Sequence, residues 1–127
     1  MKETIILIAG IFGALSVIFG AFGAHALKKV MSVESLQSFE TGVKYQMYHT
    51  IVLVICGFFF SFEDPMEKYI VWSFILGIIL FSGSIYGLTL SSIKGKKLRF
   101  LGPITPLGGL CFIIGWLLLA FYGYSLA

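Results

Sequence analysis

Four apolar stretches, each long enough to cross a bilayer, take up most of this 127-residue chain and constrain its fold. A helix rises about 1.5 Å per residue, so about 20 residues cross a hydrocarbon core about 30 Å thick. A soluble domain of this size could not bury so much apolar surface in one core. We therefore predict an all-α fold, a four-transmembrane-helix bundle that forms a single integral membrane domain over residues 1–127. The predicted spans are residues 4–24, 43–62, 69–90 and 106–124.

The charged residues divide unevenly between the two ends of the predicted bundle. Only 12% of the residues are charged, whereas a soluble domain carries about 25%. The segments after the first and third spans share one side, and with Lys44 at the start of the second span this side holds seven of the nine basic residues. The opposite side holds Lys2 and Lys68 together with Glu3, Glu63, Asp64 and Glu67. Because short loops rich in Lys and Arg stay in the cytoplasm, both termini are predicted outside. Orientation in the lipid bilayer explains the basic charge, and no nucleic-acid partner is expected.

The segment between the first two spans has the pattern of a short amphipathic helix. Ser32 can cap it, and Glu34 lies in its first turn, where the helix dipole favours an acidic side chain. The apolar residues that share one face are Val33, Leu36, Phe39 and Val43. We predict that this helix lies at the membrane interface between helices 1 and 2, either as an element of its own or continuous with the second span.

Polar residues within the spans gather near one end of the bundle. A polar group in hydrocarbon is costly, so its position is the best functional indication in such a chain. The residues that could line one ligand pocket are His25, Glu40, Tyr45, Gln46, His49, Ser82, Tyr86 and Thr105. The alternative is a purely structural network of hydrogen bonds between helices. His49 lies deepest, and we expect its imidazole to bond to the hydroxyl of Tyr86 or Ser82.

Other chemistry finds little support in the sequence. Two histidines without a carboxylate inside a span make a poor metal site, and no cofactor is predicted. No Ser-His-Asp set, paired carboxylates or CxxC motif is present, which favours a non-enzymatic protein. Cys56 and Cys111 lie at different depths in their spans and are predicted to be free thiols.

A basic loop precedes the last span and suggests an anion or lipid-headgroup site. The cationic side chains of this loop are Lys94, Lys96, Lys97 and Arg99. The starts of the second and fourth spans lie at the same end, and helix N-termini attract anions. The leading hypothesis is a protein that binds a small molecule or lipid in the cytoplasmic half of the bundle. The alternatives are a subunit of a small oligomeric transporter or channel, formed as a homo-oligomer, and an assembly factor for a larger membrane complex.

Several sequence blocks are distinctive: GAFGAHAL at 20–27, FETGVKYQMYH at 39–49, SGSIY at 82–86 and GPITPLGG at 102–109, with Gly115-Trp116. Together they resemble the small multi-pass membrane proteins of domain-of-unknown-function family 423, which is related to eukaryotic transmembrane protein 256. The resemblance covers essentially the whole chain. It implies a multi-pass protein of the bacterial cell (inner) membrane, and it implies no activity.

Overall fold

A computed structural model describes the whole chain, Met1–Ala127, and contains α-helices and turns but no strand. The prediction of an all-α fold is confirmed. Short 3₁₀ turns lie at Leu27–Lys29 and Arg99–Leu101. The helices are α1 (Lys2–His25), α2 (Val33–Phe59), α3 (Pro65–Gly77), α4 (Gly83–Ser92) and α5 (Ile104–Ser125). A π turn, Ile78–Ser82, joins α3 to α4 without a break, so the chain forms four helical rods.

Three of the four rods are long and apolar enough to cross a membrane. These segments are Lys2–Lys29, Pro65–Ser92 and Arg99–Ser125. The exception is α2, whose first half carries Glu34, Glu40 and Lys44. With 27 residues α2 is long enough to cross, but its charged first half is not continuously apolar. The fourth span therefore stays a prediction.

The predicted interfacial helix is not a separate element. Residues 33–59 form one helix, capped where Ser35 N–H donates to Ser32 Oγ at 3.1 Å. Of its predicted apolar face, Phe39 packs inside the protein, only 1% exposed and in contact with the rings of Phe19 and Tyr86, whereas Val33 is 74% exposed. Nothing between Ser32 and Phe59 breaks the helix, which ends three residues before the predicted boundary at residue 62.

The rods pack in two pairs that meet through the middle of the bundle. α1 lies along α2, and α3 lies along α5, while α2 also contacts the π turn and α4. The π turn changes the face that the third rod presents, so α3 packs mainly on α5 and α4 mainly on α2. Buried apolar side chains from α1, α2, α3 and α5 form the core.

Glycines allow α5 to approach the third rod closely. A Cβ on Gly115 would lie 2.8 Å from the ring of Phe74, and one on Gly77 would lie inside contact distance of Phe112. Aromatic rings therefore occupy the places where side chains would otherwise stand on the opposite helix. Where lipid provides little hydrophobic drive between helices, such close packing is what holds them together.

The bundle has a basic end and an acidic end. The basic end holds Lys28, Lys29, Lys94, Lys96, Lys97 and Arg99. At the acidic end Glu67, which the sequence places among the charges of an outer linker, is only 4% exposed. Its carboxylate accepts hydrogen bonds from Phe62 N–H at 2.6 Å, Tyr122 Oη at 2.6 Å and Ser61 Oγ at 3.3 Å. Glu67 therefore ties the α2–α3 connection to the last turns of α5.

Candidate functional site: a polar cavity and an aromatic groove at the basic end

The eight predicted pocket residues do not share one pocket. Consecutive residues of a helix point about 100° apart, so neighbours such as Tyr45 and Gln46 face different surroundings. His25 is exposed at the end of α1, and Glu40 lies in a separate hollow of about 220 Å³ beside Lys44. No ion pair joins Glu40 to Lys44, since the chain has a single ion pair, between the N-terminal ammonium and Glu3 at 3.9 Å.

Three of the predicted residues form hydrogen bonds in the interior. Gln46 donates from Nε2 to the carbonyl oxygen of Phe12 at 2.9 Å and accepts from Tyr86 Oη at 2.6 Å. Ser82 Oγ donates to the carbonyl oxygen of Gly42 at 2.6 Å. These bonds link α2 to α1 and to the third rod. Their polar atoms are used within the protein, which matches the structural alternative.

His49 has different partners from those expected. Trp116 Nε1–H donates to His49 Nε2 at 3.2 Å, and His49 Nδ1 lies 2.6 Å from the carbonyl oxygen of Tyr45. The expectation of a bond to Tyr86 or Ser82 is wrong, because both of those hydroxyls are used elsewhere. Since the indole can only donate, Nε2 must accept and Nδ1 must carry the proton. The imidazole is therefore uncharged in this arrangement, with both nitrogens satisfied, and it stacks on Phe112 at 3.6 Å.

A polar cavity of about 410 Å³ opens at the basic end between α2, α4, the basic loop and the start of α5. We call it the polar cavity. The residues that line it are Glu34, Ser35, Ser38, Thr41, Ile85, Leu88, Thr89, Lys97 and Thr105. It therefore combines hydroxyl groups from three elements with one cationic and one anionic side chain.

Several hydroxyl groups of the polar cavity already form hydrogen bonds within the protein. Thr41 Oγ1 donates to the carbonyl oxygen of Gln37 at 3.0 Å, and Thr89 Oγ1 donates to that of Ile85 at 2.7 Å. Thr105 Oγ1 pairs with Ser84 Oγ at 2.5 Å. A hydroxyl oxygen that donates once keeps lone pairs that can accept. Lys97 is the only cationic side chain of the basic loop that lines the cavity.

A second hollow, of about 540 Å³, lies beside the polar cavity on the face between α2 and α5. We call it the aromatic groove. Its lining residues are Tyr45, His49, Phe81, Pro106, Gly109, Leu110, Phe112, Ile113 and Trp116. The rings of Tyr45 and Phe81 are in contact, with centroids 4.9 Å apart and planes tilted by 31°, so aromatic rings form much of the walls.

Part of this region is predicted from the sequence and part is not. Tyr45, His49, Thr105 and Lys97 are among the predicted site residues, but the lining residues Ser38 and Thr89 are not. A signal is present in α2, where Glu34, Ser38, Thr41, Tyr45 and His49 are spaced by three or four residues and so share one face.

No group of three or more His, Cys, Asp or Glu residues is close enough to bind a metal ion. The two cysteines are free, as predicted; Cys56 is buried and Cys111 is partly buried. The site therefore offers hydroxyl groups, one ammonium, one carboxylate and aromatic rings. Such groups can bind ligands by hydrogen bonds, charge and contact.

Comparison with known proteins gives a consistent result. The family described as "Protein of unknown function (DUF423)" matches residues 19–109. The chain is 41% identical to the UPF0382 membrane protein SH2409 of Staphylococcus haemolyticus over 114 residues, 90% of this chain and 89% of that protein. It is 38% identical to the UPF0382 membrane protein YwdK of Bacillus subtilis, covering 92% and 93% of the two chains. The UPF0382 inner membrane protein YgdD of Escherichia coli is also 38% identical, with 90% and 84% covered. No solved structure matches.

Proposed function

We propose that this chain, which belongs to the DUF423 family and whose curated relatives are membrane proteins, binds a phosphate-bearing group in its polar cavity. The group belongs to a small soluble molecule or to a lipid headgroup. The observation that carries this proposal is the cavity itself, which brings Lys97 together with hydroxyl groups from α2, α4 and α5 at the basic end.

The chemistry of the cavity favours an anion. Lys97 supplies a positive charge, and the first turns of α2 and α5 contribute Ser35 and Thr105 to the lining. Free N–H groups at helix starts carry partial positive charge and attract phosphate. Glu34 opposes this attraction from one side, and it equally suits a ligand that carries an ammonium beside its phosphate.

The location proposed for the cavity is the cytoplasmic face of a four-span bundle. Support comes from the three apolar rods, from the length of α2 and from the clustering of Lys and Arg at one end. Lys96→Cys and Glu63→Cys, made in a chain without its native cysteines, test this with an impermeant thiol reagent on intact cells. We expect Glu63→Cys to react and Lys96→Cys to be protected. The reverse pattern would show that both termini lie inside.

Lys97→Ala tests the proposed binding, with Lys94→Ala as its matched control. Both lysines belong to the same loop, but only Lys97 lines the cavity. A lysine near a membrane surface contributes about 1 kcal/mol to attraction of an anion, so affinity should fall about five-fold in Lys97→Ala. Binding of phosphatidylglycerol is measured by native mass spectrometry in neutral detergent, and binding of inorganic phosphate by ³¹P line broadening. Equal losses in the two variants, or no binding of either probe, would contradict a specific site.

The alternatives proposed from sequence have less support. A transporter or channel needs a polar pathway through the bundle, whereas Ile5, Leu53, Ile70 and Phe74 fill the core with apolar side chains. No feature of the structure favours an assembly factor over a ligand-binding protein.

A further inference from the structure

The polar cavity and the aromatic groove lie end to end along one trough between α2 and α5, although no residue lines both. On α2, Thr41 lines the cavity and Tyr45, one turn further along the same face, lines the groove. On α5, Thr105 lines the cavity and Gly109, one turn further along the same face, lines the groove. Two opposing walls therefore run from one hollow into the other without a gap of more than one helical turn.

The third wall of the trough, formed by α4 and the π turn, also runs from the cavity to the groove. Ile85 of α4 lines the cavity, and Phe81, one turn earlier in the π turn, lines the groove. On α5 the groove extends from Pro106 to Trp116, ten residues apart, which corresponds to about 15 Å. Half of a hydrocarbon core about 30 Å thick is about 15 Å, the depth that one acyl chain occupies. The aromatic groove is therefore about as long as the hydrocarbon of one leaflet is deep.

Polarity changes sharply along the trough. The cavity carries Lys97, Glu34 and several hydroxyl groups, whereas rings and aliphatic side chains form most of the groove. The polar nitrogens that reach the groove, on His49 and Trp116, bond to each other. The Tyr45 hydroxyl is the one other polar side-chain group in the groove lining, so a fully polar ligand would find few partners there, and a fully apolar ligand would leave the cavity unused.

We propose that the ligand is a phospholipid whose headgroup phosphate lies in the polar cavity and one of whose acyl chains lies along the aromatic groove. This assignment rests on the proposed function, because it takes the cavity to be the phosphate site. It adds that the phosphate comes from a lipid held at a defined position, with its chain bounded by α2, α5 and Phe81.

Trp116 provides a direct probe of the groove. Trp72, the second tryptophan, lies on α3 outside the groove, so Trp72→Phe leaves Trp116 as the only tryptophan. The single-tryptophan protein is placed in phosphatidylcholine vesicles with increasing amounts of phosphatidylglycerol that carries bromine on its acyl chains. Bromine quenches tryptophan fluorescence on close approach. A chain bound in the groove makes quenching saturate at a low fraction of brominated lipid, whereas random surrounding lipid makes it follow the lipid fraction.

Two substitutions test the acyl-chain contact and the headgroup contact separately. Gly109→Leu fills the groove, where a Cβ meets only Phe81 Cδ2 at 3.9 Å, and Gly10→Leu is its control on an open face of α1. We expect Gly109→Leu to abolish saturation and Gly10→Leu to retain it. In Lys97→Ala the apparent affinity should fall about five-fold, as for loss of one surface cation.

The outcomes distinguish the two proposals. If inorganic phosphate binds in a manner that depends on Lys97 but quenching merely follows the lipid fraction, the lipid assignment is overturned and the phosphate site stands. If quenching still saturates in Gly109→Leu, the acyl chain does not lie in the groove, and the lipid assignment is likewise overturned. If neither phosphate nor phospholipid binding depends on Lys97, both proposals fail.

Discussion

Gly108 is the position at which a single methyl group should disturb the bundle most. It lies in the second turn of α5, against the π turn of the third rod. A Cβ at this position would lie 2.7 Å from Phe81 Cα and closer still to Phe81 N. These are backbone atoms, which cannot rotate away as the end of a side chain can. Gly108→Ala therefore forces α5 and the third rod apart.

The size of the effect follows from these contacts. Nonpolar atoms pack best at about 3.5–4.0 Å, so the two helices must separate locally by about 1 Å. Overpacking of this kind costs about 1–3 kcal/mol, and we take the upper value because the atoms met are backbone. Replacing glycine by alanine within a helix returns about 1 kcal/mol. The expected net loss in the free energy of unfolding is about 2 kcal/mol.

Gly109→Ala is the matched control. The added Cβ meets only Phe81 Cδ2 at 3.9 Å, an ordinary contact. This variant should therefore be as stable as the original protein or up to about 1 kcal/mol more stable. Unfolding of all three proteins by sodium dodecyl sulfate in mixed micelles, followed by far-ultraviolet circular dichroism, measures the difference. If Gly108→Ala proves as stable as Gly109→Ala, the close approach of α5 to Phe81 is refuted.

Two further substitutions test features of the interior by the same measurement. Thr50 Oγ1 is buried without a hydrogen-bond partner. Thr50→Val keeps the shape of the side chain, so the free energy of unfolding should stay unchanged or rise by about 1 kcal/mol. A decrease of more than about 1 kcal/mol would reveal a partner for the hydroxyl. Tyr122→Phe removes a donor to the buried carboxylate of Glu67 and should cost about 1.5–3 kcal/mol. Tyr124→Phe, at a side chain 82% exposed, should have no effect, and equal effects of the two would argue against the Glu67 contact.

Local rules predicted the helices well because each rule depends on nearby residues. The apolar lengths predicted all-α rods, and Ser32 caps α2 as expected from its type and position. The amphipathic pattern at the start of α2 predicted an interfacial helix, whereas in the structure this segment is the first part of one 27-residue helix. In the structure one face of this segment packs against other helices, so Phe39 is buried while Glu40 is exposed.

The partners of the polar residues could not be predicted in the same way. His49 bonds to Trp116, which lies 67 residues later in the chain. Such a contact depends on how α5 is rotated relative to α2, and no local pattern specifies that rotation. Glu67 is a similar case, because its burial requires Tyr122 from the other end of the chain. Periodicity identified which residues share a face of α2, but not which helix that face would meet.

The π turn at Ile78–Ser82 makes the third rod sensitive to the exact number of residues it contains. A π turn holds one residue more than the α-helical turn it replaces, and one residue corresponds to about 100° of rotation. The π turn fits this extra residue into about the same total rotation, so deleting one residue between Gly77 and Gly83 and restoring a regular α-helix would keep the faces of α3 and α4 nearly unchanged. A regular α-helix through the same number of residues would instead rotate α4 by about that angle, and Ser82 and Tyr86 would turn away from α2 while Phe74 still faced Gly115. When relatives are aligned, a one-residue gap in this window would thus mark loss of the π turn with the helix pairing retained.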